Sequence, residues 1–397
     1  MLAELVQFRT EFANGQIDDL RERLRRTRWP ERETVDDWSQ GVPLAYLQDL
    51  CQYWADGYDF DAAAARLNAH PQFRVAIDGL DIHFLHARSP HEGALPLVLT
   101  HGWPGSFVEF LDVIGPLTNP ADPADAFHVV VPSLPGYGSS ERPTATGWGV
   151  NRIAAAWDEL MRVVGYERYG AQGGDWGMAI TDALGQQFPQ RVAGIHVTGA
   201  VLPTDIAAFG ALTSEELEDV AALQKHASSG RGYSVLQSTR PQTLGYGLAD
   251  SPAAQCAWIV EKMWAWTDCA GHPENALTRD QMLDNVSLYW FTATGTSSAR
   301  LYWEGLGTLD RVSWTNAGGL DQDRVDVPSG VSIFPCEMFR ASRRMIEGRY
   351  TDLRWYNRLP AGGHFGAWEQ PALFVDEVRS FFRLARDTDR GGVGRDD

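Results

Sequence analysis

The tightest constraint on this chain is five residues long: Gly173-Gly174-Asp175-Trp176-Gly177. A strand pattern leads into it, and a helix-prone run (Met178, Ala179, Ile180, Ala183, Leu184) follows. Glycines two positions before and after Asp175 let a strand turn directly into a helix, because side chains there would collide with the crossing backbone. Such a turn holds its central residue in a strained conformation, ready to attack. Serine is the familiar occupant; a carboxylate instead displaces at carbon and leaves an alkyl ester. The plainer reading is a solvated aspartate in a glycine-rich turn, so the rest of the sequence must discriminate.

At 397 residues the chain can bury one large core with an excursion, or two domains. Its net charge of −18 argues against nucleic acid or an anionic membrane as partner. Cys51, Cys256, Cys269 and Cys336 are scattered without a C-x-x-C pair, which suits free thiols in a reducing, cytoplasmic setting. The N-terminus lacks a signal-like apolar run, and no stretch of about 18 apolar residues occurs, so no membrane anchor is expected. No metal-ligand or cofactor motif stands out, and His83 and His86 point to opposite faces of one strand.

Residues 1–66 read as a helical extension. Ile17, Leu20 and Leu24 share one helical face, and Trp29-Pro30 predicts its end. The arginines between Arg21 and Arg28 read as a solvated face. From 67 to 203 the period changes: a hairpin turns at Asp78-Gly79, then apolar runs (95–100, 127–131, 192–201) alternate with helical patterns. Alternation stops over 204–324, an aromatic-rich helical stretch, and resumes over 325–397, with a helix near 339–347. This predicts an α/β fold: a mostly parallel sheet, helices on both faces, and a helical cap inserted before the last strands. Ligands of such sheets bind beyond the carboxyl ends of the strands, beneath the cap.

An aspartyl ester needs a base, and the base an orienting acid. In the α/β-hydrolase order of nucleophile, acid and histidine, only His364 follows the last strand, within Gly362-Gly363-His364-Phe365-Gly366. Glu337, in Phe334-Pro335-Cys336-Glu337, leaves a strand end and is the expected acid; Asp326 and Glu347 are weaker candidates. The oxyanion donors are expected from the backbone N–H groups of Trp176 and Trp103. His101, in the Trp103 loop, is a further candidate substrate-binding residue.

Taken together, HGWPGS at 101–106, SLPGYGSS at 133–140, GGDWG at 173–177, FPCE at 334–337 and GGHFGAWEQP at 362–371 resemble the microsomal-type (juvenile-hormone-type) epoxide hydrolases. IDDLRERLRRTRWP resembles that family's N-terminal domain, and the likeness spans about 1–385. The pattern is nearest that of soluble bacterial members, including those of enediyne antibiotic biosynthesis. The resemblance implies an α/β-hydrolase fold and a cofactor-free ether-bond hydrolase with Asp175 as nucleophile, Glu337 as acid and His364 as base. It also implies two cap tyrosines that donate to the epoxide oxygen: Tyr302, in Ala299-Arg300-Leu301-Tyr302, and Tyr233, with Tyr246 the weaker alternative. A small-molecule epoxide, bulky and aryl if the aromatic cap shapes the site, is the expected partner, and a homodimer is possible. A haloalkane or haloacid dehalogenase would share the aspartate and histidine but need no phenols, since halide leaves without a proton. A catalytically silent binding protein would need none of the three catalytic groups.

Overall fold

The computed structural model describes residues 4–203, 205–306 and 324–390. Residues 307–323, the end of the expected cap, lie outside the described residues. The extension contains α1 (Asn14–Arg25), α2 (Leu44–Asp56) and α3 (Phe60–Leu67). Ile17, Leu20 and Leu24 are buried, as the spacing predicts. The arginines of α1 and its C-cap face carboxylates: Arg23 meets Asp19 and Asp250, Arg25 meets Asp56, and the C-cap Arg26 meets Glu22. The helix ends at Arg25, ahead of Trp29-Pro30.

The extension is not purely helical. Strand β1 (Val6–Phe8) pairs antiparallel with β2 (Gln72–Ile77) and adds an edge to the sheet. Strand β2 turns into β3 (Leu80–Ala87) through Asp78 and Gly79, both at positive φ (49° and 82°), the geometry of a tight hairpin turn. The remaining strands are β4 (Leu95–Thr100), β5 (Phe127–Pro132), β6 (Tyr169–Gly174), β7 (Val192–Thr198), β8 (Ser329–Ile333) and β9 (Leu353–Arg358). Their order is β1-β2-β3-β5-β4-β6-β7-β8-β9, and every pairing from β5 to β9 is parallel.

Strand β4 shows why the parallel strands were legible. Leu97, Val98, Leu99 and Thr100 are all fully buried, as expected of a strand covered on both faces. Helices α4 (Leu111–Thr118), α5 (Val150–Val163) and α6 (Trp176–Gln187) return the chain between strands. On α5, Ile153, Ala154, Trp157, Leu160 and Met161 form one buried stripe.

The cap comprises α7 (Ser214–Lys225), α8 (Gly232–Thr239), α9 (Pro241–Asp250), α10 (Pro252–Trp266), α11 (Arg279–Phe291) and α12 (Gly295–Leu306). The chain then closes with α13 (Arg343–Ile346), α14 (Gly366–Glu369) and α15 (Pro371–Arg390). The last helix packs against β7, β8 and β9 on the face opposite α6.

Helix α11 joins three parts of the molecule. Toward the extension, Asp284 accepts from Tyr58 and from both Nε and Nη2 of Arg66, and Ser287 accepts from Trp54 Nε1 at 2.9 Å. Toward the loop after β4, Asn285 Nδ2 donates to Pro104 O and Tyr289 Oη donates to Gly105 O, each at 2.8 Å.

Candidate active site

Strand β6 ends at Gly174, and α6 begins at Trp176. Asp175 between them has φ 53° and ψ −128°. Positive φ in a non-glycine residue costs on the order of 1–3 kcal/mol and persists only where packing enforces it. Here the packing is explicit. A Cβ on Gly173 would lie 2.1 Å from Gly177 O, and one on Gly177 would lie 1.9 Å from Thr100 O. The flanking glycines let α6 cross β4 and β6 at backbone contact.

The loop after β4 closes over the carboxylate. Trp103 N–H donates to Asp175 Oδ1 at 2.9 Å. Gly102 makes that approach possible, since a Cβ there would lie 2.1 Å from the same oxygen. The other oxygen, Oδ2, lies 3.4 Å from His364 Nε2. His364 comes from the turn after β9, whose Gly363 presses against the end of α10 so that His364 N–H reaches Trp266 O at 2.8 Å.

Glu337 follows β8. Its Oε1 accepts from Phe339 N–H at 3.0 Å, and its Oε2 lies 2.8 Å from His364 Nδ1. Burial alone would lower the pKa of His364, but the Glu337 and Asp175 carboxylates outweigh it and hold the imidazole well above its usual value. Burial pushes the Glu337 carboxyl up, and the facing imidazole brings it below its ordinary range. The weaker acid candidates lie elsewhere: Asp326 accepts from Thr351 Oγ1, and Glu347 pairs with Arg343.

Above the carboxylate is an aromatic enclosure. Tyr233 on α8 stacks on the Trp103 indole, with ring centroids 5.0 Å apart and planes 9° apart. Tyr302 on α12 meets Trp103 edge-on at 5.8 Å and Trp176 at 5.0 Å. Both tyrosines are buried, whereas Tyr246 on α9 is 70% exposed and belongs to the outer cap surface. Burial first, and then the Asp175 charge, holds the Tyr233 phenol well above 10. At Tyr302, burial, then Tyr233, then Asp175 do the same.

One sequence expectation changes here, and one residue is added. His101 is spent on backbone: Nε2 accepts from Leu134 N–H at 3.2 Å, so Nδ1 carries the proton and donates to Gly102 O at 2.9 Å. Burial lowers its pKa to about 4, so it is a neutral tie between two loops rather than a substrate ligand. Conversely, sequence reasoning missed Glu109. It lines a cavity of about 20 Å3 with Asp175, His364, Thr100 and Gln172. Burial, helped by Asp175 and opposed by His364, raises its pKa to about 8. The spacing Ser106-x-x-Glu109 looks like an ordinary helix cap, and the Ser106 backbone does contact this carboxyl. The available signal was Gly105, where a Cβ would lie 1.3 Å from Glu109 Oε1.

With the Asp175 carboxylate, Glu337, His364 and two phenols in one enclosure, relatives specify the family. Residues 5–110 match the family described as epoxide hydrolase N terminus, and residues 96–280 match the alpha/beta hydrolase fold. A Stigmatella aurantiaca protein bearing an epoxide hydrolase name is 51% identical over 96% of this chain and 86% of its own length. The chain belongs to the epoxide hydrolase family. Epoxide hydrolase 1 of Sus scrofa is 33% identical over 95% of this hydrolase and 88% of its own chain. Among solved structures, the juvenile hormone epoxide hydrolase of Bombyx mori superposes with a TM-score of 0.88 at 30% identity, covering 98% of this chain and 96% of that one. The Aspergillus niger epoxide hydrolase gives 0.85 at 31% identity, covering 96% and 97%. Among the described residues of this epoxide hydrolase there is no metal-binding cluster, and no helix is long and apolar enough to cross a membrane.

Proposed function

We propose that this hydrolase opens an epoxide with Asp175 and releases a vicinal diol with water activated by His364. One Asp175 oxygen bonds to an epoxide carbon as the ring C–O bond breaks, its electron pair going to the ring oxygen. Tyr233 and Tyr302 donate to that oxygen as charge develops, a role suited to phenols whose burial keeps them protonated. Esterification removes one of the two carboxylate charges holding the imidazolium, so His364 gives up its proton after ring opening, and that proton converts the alkoxide to the first hydroxyl. His364 then takes a proton from water, whose oxygen adds to the ester carbonyl carbon. The oxyanion forms where Trp103 N–H already donates, with Trp176 N–H as second donor, an arrangement worth about 3–4 kcal/mol per donor. Collapse breaks the ester C–O bond, and the leaving oxygen takes the proton of the hydroxyl just added, returning the carboxylate, the diol and a His364 that keeps the proton it took from water. Glu337 orients the imidazole throughout.

The observation that carries this reading is the Asp175 carboxylate held between Trp103 N–H at 2.9 Å and His364 Nε2 at 3.4 Å. His364→Gln tests it. A general base is worth roughly 100- to 10,000-fold, so the variant should alkylate and then stall. Mass spectrometry should find the protein heavier by one substrate, on the peptide containing Asp175. Unchanged protein mass with diol formation lost from the first turnover would mean direct attack by water.

The ring of Trp103, Tyr233, Trp266 and Tyr302 supports a bulky aryl epoxide as substrate, and a panel that favours small aliphatic epoxides would refute it. Exposed Tyr246 and Trp303, on cap helices α9 and α12 that pack together, support a homodimer joined through the cap, which sedimentation would test. The four free cysteines support a cytoplasmic location, testable by fractionation.

A further inference from the structure

Tyr233 packs against both an indole and a cation. The Trp103 indole stacks on it, with ring centroids 5.0 Å apart. Lys262 Nζ also lies over its ring, 4.6 Å from the centroid, and 5.6 Å from that of Trp266. Lys262 is only 6% exposed, which is rare for lysine. Its ion-pair partner is the neighbouring Glu261, whose side chain is 27% exposed. Asp175, Glu337 and Tyr302 also act on the Tyr233 phenol. His226 contacts Tyr233 edge-on at 6.4 Å, and burial, with Lys262 adding, lowers its pKa to about 4, leaving it neutral. A half-exposed carboxylate could be neutralised by a lysine reaching out over the surface. The Lys262 ammonium pairs with Glu261 and at the same time lies over Tyr233, the phenol that stacks on the Trp103 indole.

We infer that Lys262 is a positioning residue for ring opening, acting through Tyr233: its cation over the ring face strengthens the phenol as a donor to the epoxide oxygen. This rests on the reading of Tyr233 as a proton donor. A cation is attracted to an aromatic face by the electron density there. As the phenol gives up its proton toward the forming alkoxide, negative charge spreads into the ring, and the attraction grows. The contact is therefore stronger in the transition state than in the resting enzyme, which is the condition for raising a rate rather than merely tightening binding. Trp103 stacks on the same ring and fixes its tilt. No bond to Lys262 is made or broken, and its ammonium returns unchanged.

The test is a double-mutant cycle on single-turnover alkylation of styrene oxide, with the ester trapped in the His364→Gln background. Lys262→Met keeps the length and the apolar stem and removes the charge; Lys262→Arg keeps the charge. With Tyr233 present, Lys262→Met should slow alkylation about 2- to 30-fold, the range a cation over a ring is worth, and Lys262→Arg should restore most of it. With Tyr233→Phe, the same methionine substitution should have little further effect, because the phenol through which the charge acts is gone. Circular dichroism and thermal melts establish that each variant is folded. Equal slowing with and without the phenol would overturn the proposal in favour of plain packing, as would methionine and arginine behaving alike. If Tyr233→Phe alone leaves alkylation at the wild-type rate, the donor reading of Tyr233 fails first and this inference with it. If Tyr233→Phe slows the step and Lys262→Met does not, only the inference fails.

Discussion

Gly102→Ala probes the closest approach in the site. Gly102 does not have positive φ, so the backbone tolerates alanine there. The obstacle is contact: a Cβ would lie 2.1 Å from Asp175 Oδ1 and 2.3 Å from Asp175 Cβ. Non-bonded heavy atoms rest at about 3.5–4.0 Å, so the carboxylate or the loop must retreat by roughly 1 Å or more. Trp103 is the next residue, and its N–H bond of 2.9 Å to Oδ1 is what that retreat stretches. Losing one oxyanion donor costs about 100- to 1,000-fold in kcat, and a 1 Å misplacement of a reacting group costs on the order of 100-fold. The two costs are one displacement seen twice, so they do not multiply. Gly102→Ala should therefore lower both single-turnover alkylation and steady-state kcat by about 100- to 1,000-fold. The overpacking should cost about 1–3 kcal/mol of stability, measured by urea unfolding. The assay is rapid-quench turnover of an aryl epoxide with diol quantified by chromatography. Gly247→Ala, on an exposed face with nothing within 4 Å, is the control and should keep the wild-type rate. A folded Gly102→Ala enzyme with wild-type kcat would refute the claim that this loop must touch the nucleophile.

Three other outcomes are expected. Asp175→Asn should abolish turnover in fresh protein, with intact mass checked because deamidation would restore the carboxylate; full activity at the asparagine mass would remove the elbow assignment. Glu109, with a pKa raised to about 8, is neutral below that pH and becomes an anion beside the ester above it. Ester hydrolysis should thus fall as pH rises through about 8, and Glu109→Gln should abolish that alkaline limb; an unchanged limb assigns it to another group. Arg66→Ala strips the Asp284 carboxylate, 4% exposed, of its bidentate partner and should cost about 3 kcal/mol in urea unfolding; an unchanged midpoint would show the pair to be energetically neutral.

The alternation of strands and helices was legible because the parallel strands are short apolar runs, with Leu97 to Thr100 the clearest case. The elbow was legible because its glycines are forced by backbone contact. Chain order then singled out His364 and Glu337. Strand β1 was not legible: Val-Gln-Phe at a sheet edge is three residues long and mostly exposed, so it carries no burial pattern. The helix expected near 339–347 shrinks to Arg343–Ile346. The backbone before it is engaged elsewhere, with Phe339 N–H on Glu337 Oε1 and Phe339 O accepting from Ala200 N–H. The strand expected over 192–201 stops at Thr198, where Gly199 takes φ 94°. Glu109 hid behind helix-cap spacing, and His101 drew a substrate role because a sequence shows a loop histidine but not the backbone that consumes it.

Helix α11 has its extension-side bonds through Asp284 and Ser287 and its loop-side bonds through Asn285 and Tyr289. The loop that carries Trp103 over the Asp175 carboxylate is thus fastened to the same helix as the N-terminal segment. Freeing the extension on heating should therefore loosen the loop that carries Trp103 as well. Calorimetry should record one endotherm, with van't Hoff and calorimetric enthalpies equal. What looks in the sequence like an appendage shares a helix with the loop of Trp103, so a chain shortened to the catalytic core should lose its rate before it loses its sheet.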